Sequence, residues 1–236
     1  SLIPSGEVDS TKKYTEAHPM DAPEDPQEVR TAQDADVEEE EAREAIIGPQ
    51  FHLILGQTTK ILIWKIEEST STLKENIVLS AASSARLQSM KSELHQKGFL
   101  SIRHLLKEIG YSDLDVTYDD YGKPHLKDGK YISITHSFIF TGIIISEEVP
   151  VGIDIEKHRE KILKIAHKFT PFEAYKTIAN VDALIRKLTI VWGAKESLYK
   201  IYGKKKLLFL HHIFIDDFKF ETEKTTGEIT FNGISS

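Results

Sequence analysis

The chain has 236 residues, 40% hydrophobic and 28% charged, with a formal net charge of -7 and no cysteine. That length and apolar share fit one large or two small folded domains. Without cysteine there is no disulfide framework, thiolate metal site or thiol nucleophile, so carboxylates, His and hydroxyls must carry any chemistry; the composition fits a reducing compartment.

The charge is unevenly placed. Residues 1–47 hold fourteen acidic and four basic side chains, net -10, which leaves net +3 for residues 48–236. The same stretch has four prolines and one aromatic, Tyr14, too little apolar surface to offset the entropy of ordering it. A disordered acidic arm is expected there, with a short helix over 36–47 (DVEEEEAREAII) as its one candidate element. It reads as a solvated linker rather than an acidic mimic covering a basic site. With Ser rather than Met at position 1, a processed or foreign segment is one expectation for it, and residues 1–30 show no secretory apolar core.

Next in the chain, FHLILGQ and ILIWKIEES predict a hairpin turning at 57–60. Over 73–109 the apolar residues Leu87, Met90, Leu94, Phe99, Ile102, Leu105, Leu106 and Ile109 recur at helical spacing, and Gly110 is the expected stop. Residues 115–146 read as extended segments around a Gly/Pro/Asp turn at 122–129. Their last part, FIFTGIIIS at 138–146, is too short to cross a bilayer and predicts a buried strand. VGIDIEK predicts another short strand, 160–179 and 183–202 predict helices, and LLFLHHIFIDDFKFET and GEITFNG predict closing strands. The order suggests two α+β halves, 48–149 and 150–236.

Four short patterns carry candidate chemistry. In VGIDIE, Asp154 and Glu156 are two apart on a predicted strand and share one face, where a hard divalent cation would relieve their repulsion. In WGAKESLYK, Trp192, Glu196 and Lys200 are spaced by four on one helix face; alone, this is an ordinary Glu-to-Lys pair. YGKPHL presents Lys123 beside a stiffening Pro124, and SITHS ends a strand at His136. Each is commonplace by itself.

In this order and spacing, the GKP, THS, GIDIE and WGAKESLYK motifs resemble the 4′-phosphopantetheinyl transferase superfamily, in particular its larger, surfactin-synthetase-activating type. The resemblance covers about residues 60–220 and includes ILIWKIEES and FLSIRHLL. It implies two similar α+β halves related by a pseudo-twofold, with the active site in the cleft between them. It also implies transfer of the phosphopantetheine arm of coenzyme A to a serine hydroxyl of an acyl or peptidyl carrier protein, with release of 3′,5′-ADP.

By the same resemblance, Asp154, Glu156 and Glu196 would hold Mg²⁺, with Mn²⁺ as a possible substitute. Glu196 would be the general base and Lys200 would meet the pyrophosphate, with Lys195 adding charge nearby. Lys123 and His136 would sit on phosphates, and Arg103 on the 3′-phosphate. Thr135 stands where the family more often has Ser, and Arg86 and Lys91 are sparse substitutes for its early basic pairs.

The slightly basic folded part and the run Lys204–Lys205–Lys206 would steer an acidic carrier. Those three lysines are a thin basis for nucleic-acid binding. A cytoplasmic monomer with no membrane partner is expected. The competing reading is a catalytically inactive carrier-binding module of the same fold. A different phosphoryl-transfer chemistry finds neither a P-loop nor a His cluster to support it.

Overall fold

The computed structural model describes residues 51–55, 58–175, 177–222, 224–231 and 234–235. The acidic arm over 1–47 lies outside the described residues.

The predicted hairpin forms from β1 (Phe51–Leu55) and β2 (Thr59–Lys65), which pair antiparallel. Apolar alternation in β2 turns Leu62, Trp64 and then Ile66 inward.

The helical run that follows is three helices rather than one: α1 (Thr70–Lys74), α2 (Ala81–Ser89) and α3 (Glu93–Glu108). Serines set the breaks, because the Ser69, Ser80 and Ser92 side chains each accept the backbone N–H three residues on and cap a new helix. Asn76, with φ +57, turns the chain out of α1 in a conformation that Asn tolerates. After α3, Gly110 takes φ +89 and ends the helix as expected.

The extended region folds into a small hairpin of β3 (Val116–Tyr118) and β4 (Pro124–Leu126), then β5 (Tyr131–Ser137) and β6 (Phe140–Ser146). The main sheet has the order β1-β2-β6-β5, antiparallel throughout. Phe99, Leu100, Ile102, Leu105 and Leu106 of α3 form one core with Leu62, Trp64, Ile143 and Ile145. These alternating and 3–4-spaced residues remove two faces from water together.

Residues 151–159 contain no strand, against expectation. The backbone groups that a ladder would use are taken by side chains instead. Ile153 N donates to Ser133 Oγ (3.2 Å), Ile155 N donates to Thr135 Oγ1 (3.0 Å), and Ile153 O accepts from Lys200 Nζ (2.8 Å).

Beyond this segment lie α4 (Lys161–Phe169), a 3-10 turn (Phe172–Tyr175) and α5 (Val181–Tyr202). The predicted long closing strand is a one-turn helix, α6 (Phe209–His212), leading into the short β7 (Ile213–Ile215). β7 joins β8 (Gly227–Phe231) and β9 (Ile234–Ser235) in a separate three-stranded antiparallel sheet. Ala166, Phe169, Leu188 and Val191 form a core between α4 and α5, and Leu207, Ile213 and Ile229 form another between α5 and the small sheet. The architecture is α+β. No helix among the described residues is long and apolar enough to cross a membrane.

Candidate active site

Two elements bring the acidic motifs together. The 151–156 segment lies against α5 so closely that a Cβ on Gly152 would collide with the Ser197 carbonyl. Across this junction Lys200 Nζ donates to Asp154 Oδ1 at 2.8 Å, and Trp192 Nε1 donates to Glu156 Oε1 at 3.3 Å. Thr135 Oγ1 approaches Asp154 Oδ1 at a long 3.5 Å. The spacing of four along α5 thus presents Trp192, Glu196 and Lys200 to the motif carrying Asp154 and Glu156.

The charge balance is unequal. Glu196 is buried, 8% exposed. Burial, then the neighbouring Asp154, push its pKa up to about 7, with Lys200 pulling the other way. Asp154 is also raised, by burial against the opposing pull of Lys200, and Glu156 is raised by desolvation and by Asp154. Three carboxylates share one ammonium, and Asp154 Oδ2 is buried with no hydrogen-bond partner. A buried polar oxygen without a partner is costly and points to a missing one.

Hard carboxylate oxygens and an unpartnered one among them fit a magnesium-like cation. Among the described residues no three His, Asp or Glu side chains converge as a metal site. Lys200 holds Asp154 and Trp192 holds Glu156. Magnesium commonly binds through one or two carboxylates and completes its shell with water and phosphate oxygens, so the donors suit it as a site finished by substrate.

The other expected residues are placed differently. Lys123 directs its ammonium to the end of α5, donating to Ile201 O at 2.6 Å. Burial lowers its pKa. His136 is exposed and lies over Gly98, edge-to-face with His95 at 5.8 Å between ring centroids. Desolvation on that side and then His95 lower its pKa, leaving it neutral and able to accept as well as donate.

Arg103 is not available to a phosphate. Its side chain is 6% exposed and ion-paired through Nε to Asp113 Oδ1 at 3.0 Å. Its NH1 group donates to Phe99 O at 3.1 Å, and the guanidinium lies over the Phe99 ring. Lys195 is likewise internal, with Nζ donating to Phe169 O (2.6 Å), Phe209 O (2.8 Å) and Ile213 O. Burial lowers its pKa to about 8. Both were expected at the site by resemblance; in the structure Lys195 satisfies backbone carbonyls and Arg103 a buried carboxylate. Arg86 and Lys91 are exposed.

One surface escaped the sequence reading. Residues 157–168 (KHREKILKIAHK) hold five Lys or Arg against one Glu. Lys157, Arg159, Lys161, Lys164 and Lys168 are all exposed, immediately after Glu156. A charge count over the residues following the GIDIE motif would have found it. Lys204, Lys205 and Lys206, the patch expected from sequence, are exposed as well.

Residues 150–233 match the family model described as the 4'-phosphopantetheinyl transferase superfamily. The resemblance to this superfamily stands. Two relatives have names in keeping with it. The 4'-phosphopantetheinyl transferase gsp of Aneurinibacillus migulanus is 30% identical over 130 residues, which is 53% of this chain and 54% of that protein. The 4'-phosphopantetheinyl transferase Sfp of Bacillus subtilis (strain 168) is 31% identical over 101 residues, 41% of this chain and 45% of that protein. The chain spans about half the length of the curated relatives it matches. The phosphopantetheinyl transferase match contains both Asp154 and the whole WGAKESLYK motif, the two parts that meet across the α5 junction.

Proposed function

We propose that this chain is a 4′-phosphopantetheinyl transferase that moves the phosphopantetheine arm of coenzyme A to a serine hydroxyl of an acyl or peptidyl carrier protein, releasing 3′,5′-ADP. The observation that carries this reading is the buried, partnerless Asp154 Oδ2 beside Lys200 and a Glu196 whose pKa is about 7. A carboxyl group poised at that value is suited to take the proton of a serine hydroxyl near neutral pH. Lys200, already turned toward the acidic segment, would hold the pyrophosphate and favour departure of 3′,5′-ADP. Asp154 and Glu156, with Glu196, would hold Mg²⁺, which supplies neutralisation of phosphate charge. His136, which is exposed, remains the candidate phosphate contact from the first half.

Partner choice follows from charge. The exposed basic run at 157–168 begins at Lys157, next to Glu156, and suits an acidic carrier surface approaching the reacting groups. The Lys204–Lys206 patch would be a second, more distant contribution. A pseudo-twofold between the halves, with the site in their cleft, is supported by each half packing one long helix, α3 or α5, on an antiparallel sheet. The same reading makes the protein a cytoplasmic monomer.

The test mixes the protein with apo carrier proteins, coenzyme A and Mg²⁺ and reads the carriers by intact mass. One added phosphopantetheine arm per carrier is the expected result. Carrier binding without any adduct, across several carriers, would leave an inactive binding module instead.

A further inference from the structure

We propose that Lys123 is a positioning residue, which ties the first half of the fold to the last turn of α5 and so holds Lys200 in register with Asp154, rather than a phosphate ligand. The last carbonyls of a helix lack intrahelical donors and attract cations. Two of these carbonyls on α5 have partners from opposite directions. Gly203 N donates to Tyr199 O at 2.9 Å within the chain turn, and Lys123 Nζ donates to Ile201 O at 2.6 Å from 78 residues away. Ile201 is the neighbour of Lys200, whose own Nζ reaches both Ile153 O and Asp154 Oδ1.

The lysine is delivered by a rigid loop. Asp119 Oδ1 accepts the backbone N–H groups of Tyr121 and Lys123, each at 2.9 Å, while Asp119 N donates to Lys123 O at 3.1 Å. Its aliphatic stem then lies across Gly203, which takes φ +68, and a Cβ there would collide with that stem. Gly203 is therefore required twice, for its left-handed backbone and for its missing side chain. Lys123 also lines a cavity of about 140 Å³ with Pro124, Tyr131, Pro150 and Val151.

Three variants of the full chain test this: Lys123→Met, which keeps the stem and removes the charge, Lys123→Arg, and Gly203→Ala, which displaces the stem. The first measurement is amide hydrogen exchange of residues 199–203 in the ligand-free protein. Exchange is expected to quicken about tenfold in Lys123→Met and Gly203→Ala, as for loss of a helix-end interaction, and to stay near wild type in Lys123→Arg.

The second measurement is transfer kinetics, which rest on the transferase reading. Lys123→Met should lower kcat about tenfold with the coenzyme A KM within about twofold, and Lys123→Arg should restore kcat. A raised KM with unchanged exchange would overturn the proposal in favour of a phosphate ligand. Unchanged exchange in both Lys123→Met and Gly203→Ala would overturn it outright. If wild-type protein transfers nothing, the exchange measurement still decides about Lys123 while the transferase reading fails separately.

Discussion

Arg103 and Glu196 are both buried charged residues, and the structure treats them in opposite ways. Arg103 meets a carboxylate that is itself 3% exposed, and Asp113 is further fixed by Ser80 N (2.9 Å) and Ser83 Oγ (2.8 Å). Removing one partner of such a pair leaves a buried charge alone. Arg103→Met is therefore expected to cost about 3–5 kcal/mol in denaturant unfolding while leaving coenzyme A affinity of the folded protein unchanged. A large loss of that affinity would return Arg103 to the phosphate role expected from sequence.

Glu196 has no such compensation, and pH exposes the difference. Its folded pKa of about 7 lies above the ordinary glutamate value of 4.5, so the folded protein keeps a proton that the unfolded chain releases between those values. Stability is full below about 4.5 and falls as pH rises to about 7, by about 3 kcal/mol. Melts of the ligand-free protein at pH 5 and pH 8 should show this, and Glu196→Gln should raise stability at pH 8. Some slope should persist in the variant, because Asp154 and Glu156 are raised in the same direction. A flat wild-type profile would refute the uncompensated burial of Glu196.

The meeting of Asp154 and Glu156 with Trp192 and Lys200 was legible in the sequence because two spacings, two on one segment and four on a helix, group them by face. Arg103 and Lys195 were not, because the partners that consume them, Asp113 and the carbonyls of Phe169, Phe209 and Ile213, come from other elements.

At the level of elements, α5 was predicted almost to its ends, 183–202 against Val181–Tyr202, and the structure closes it with an Asn180 cap and a left-handed Gly203. The 73–109 region shows the limit of periodicity. Its apolar spacing was right for each helix, but the capping serines divide it, and a polar residue at helical phase does not announce that it accepts a backbone N–H. The VGIDIEK segment failed as a strand for a related reason: alternation fixed the faces of Asp154 and Glu156, while the hydrogen bonds went to the Ser133 and Thr135 hydroxyls.

α4 carries the next prediction. Lys164→Glu together with Lys168→Glu reverses charge on exposed positions of α4, and should raise the carrier KM about tenfold or more at low salt with kcat retained. The difference should shrink as salt is raised. Steady-state transfer at two ionic strengths measures both, and an unchanged carrier KM would move docking to the Lys204–Lys206 patch.

Across the described residues as a whole, most elements were readable from the sequence, but the contacts joining the 151–156 segment to α5 were not. Those contacts are close and backbone-dependent. Gly152 is the sharpest case, because its absent Cβ lets the 151–156 segment touch the Ser197 carbonyl. Gly152→Ala should force these apart and cost about 2 kcal/mol or more in unfolding, with a matching loss of transfer activity. Wild-type stability in that variant would mean that the segment can shift freely over α5. No periodicity in the sequence distinguishes such a glycine from one in an open turn.

The burial of Lys195 has an analytical consequence. Lys195 is 2% exposed and its amine donates to three backbone carbonyls, whereas Lys204 and Lys205 are exposed. An acylating reagent should therefore mark those surface lysines in the native protein and reach Lys195 only when α4, α6 and β7 separate from α5. Peptide mapping of the modified amines would turn this one side chain into an internal clock for opening of the core around α5, with no introduced probe.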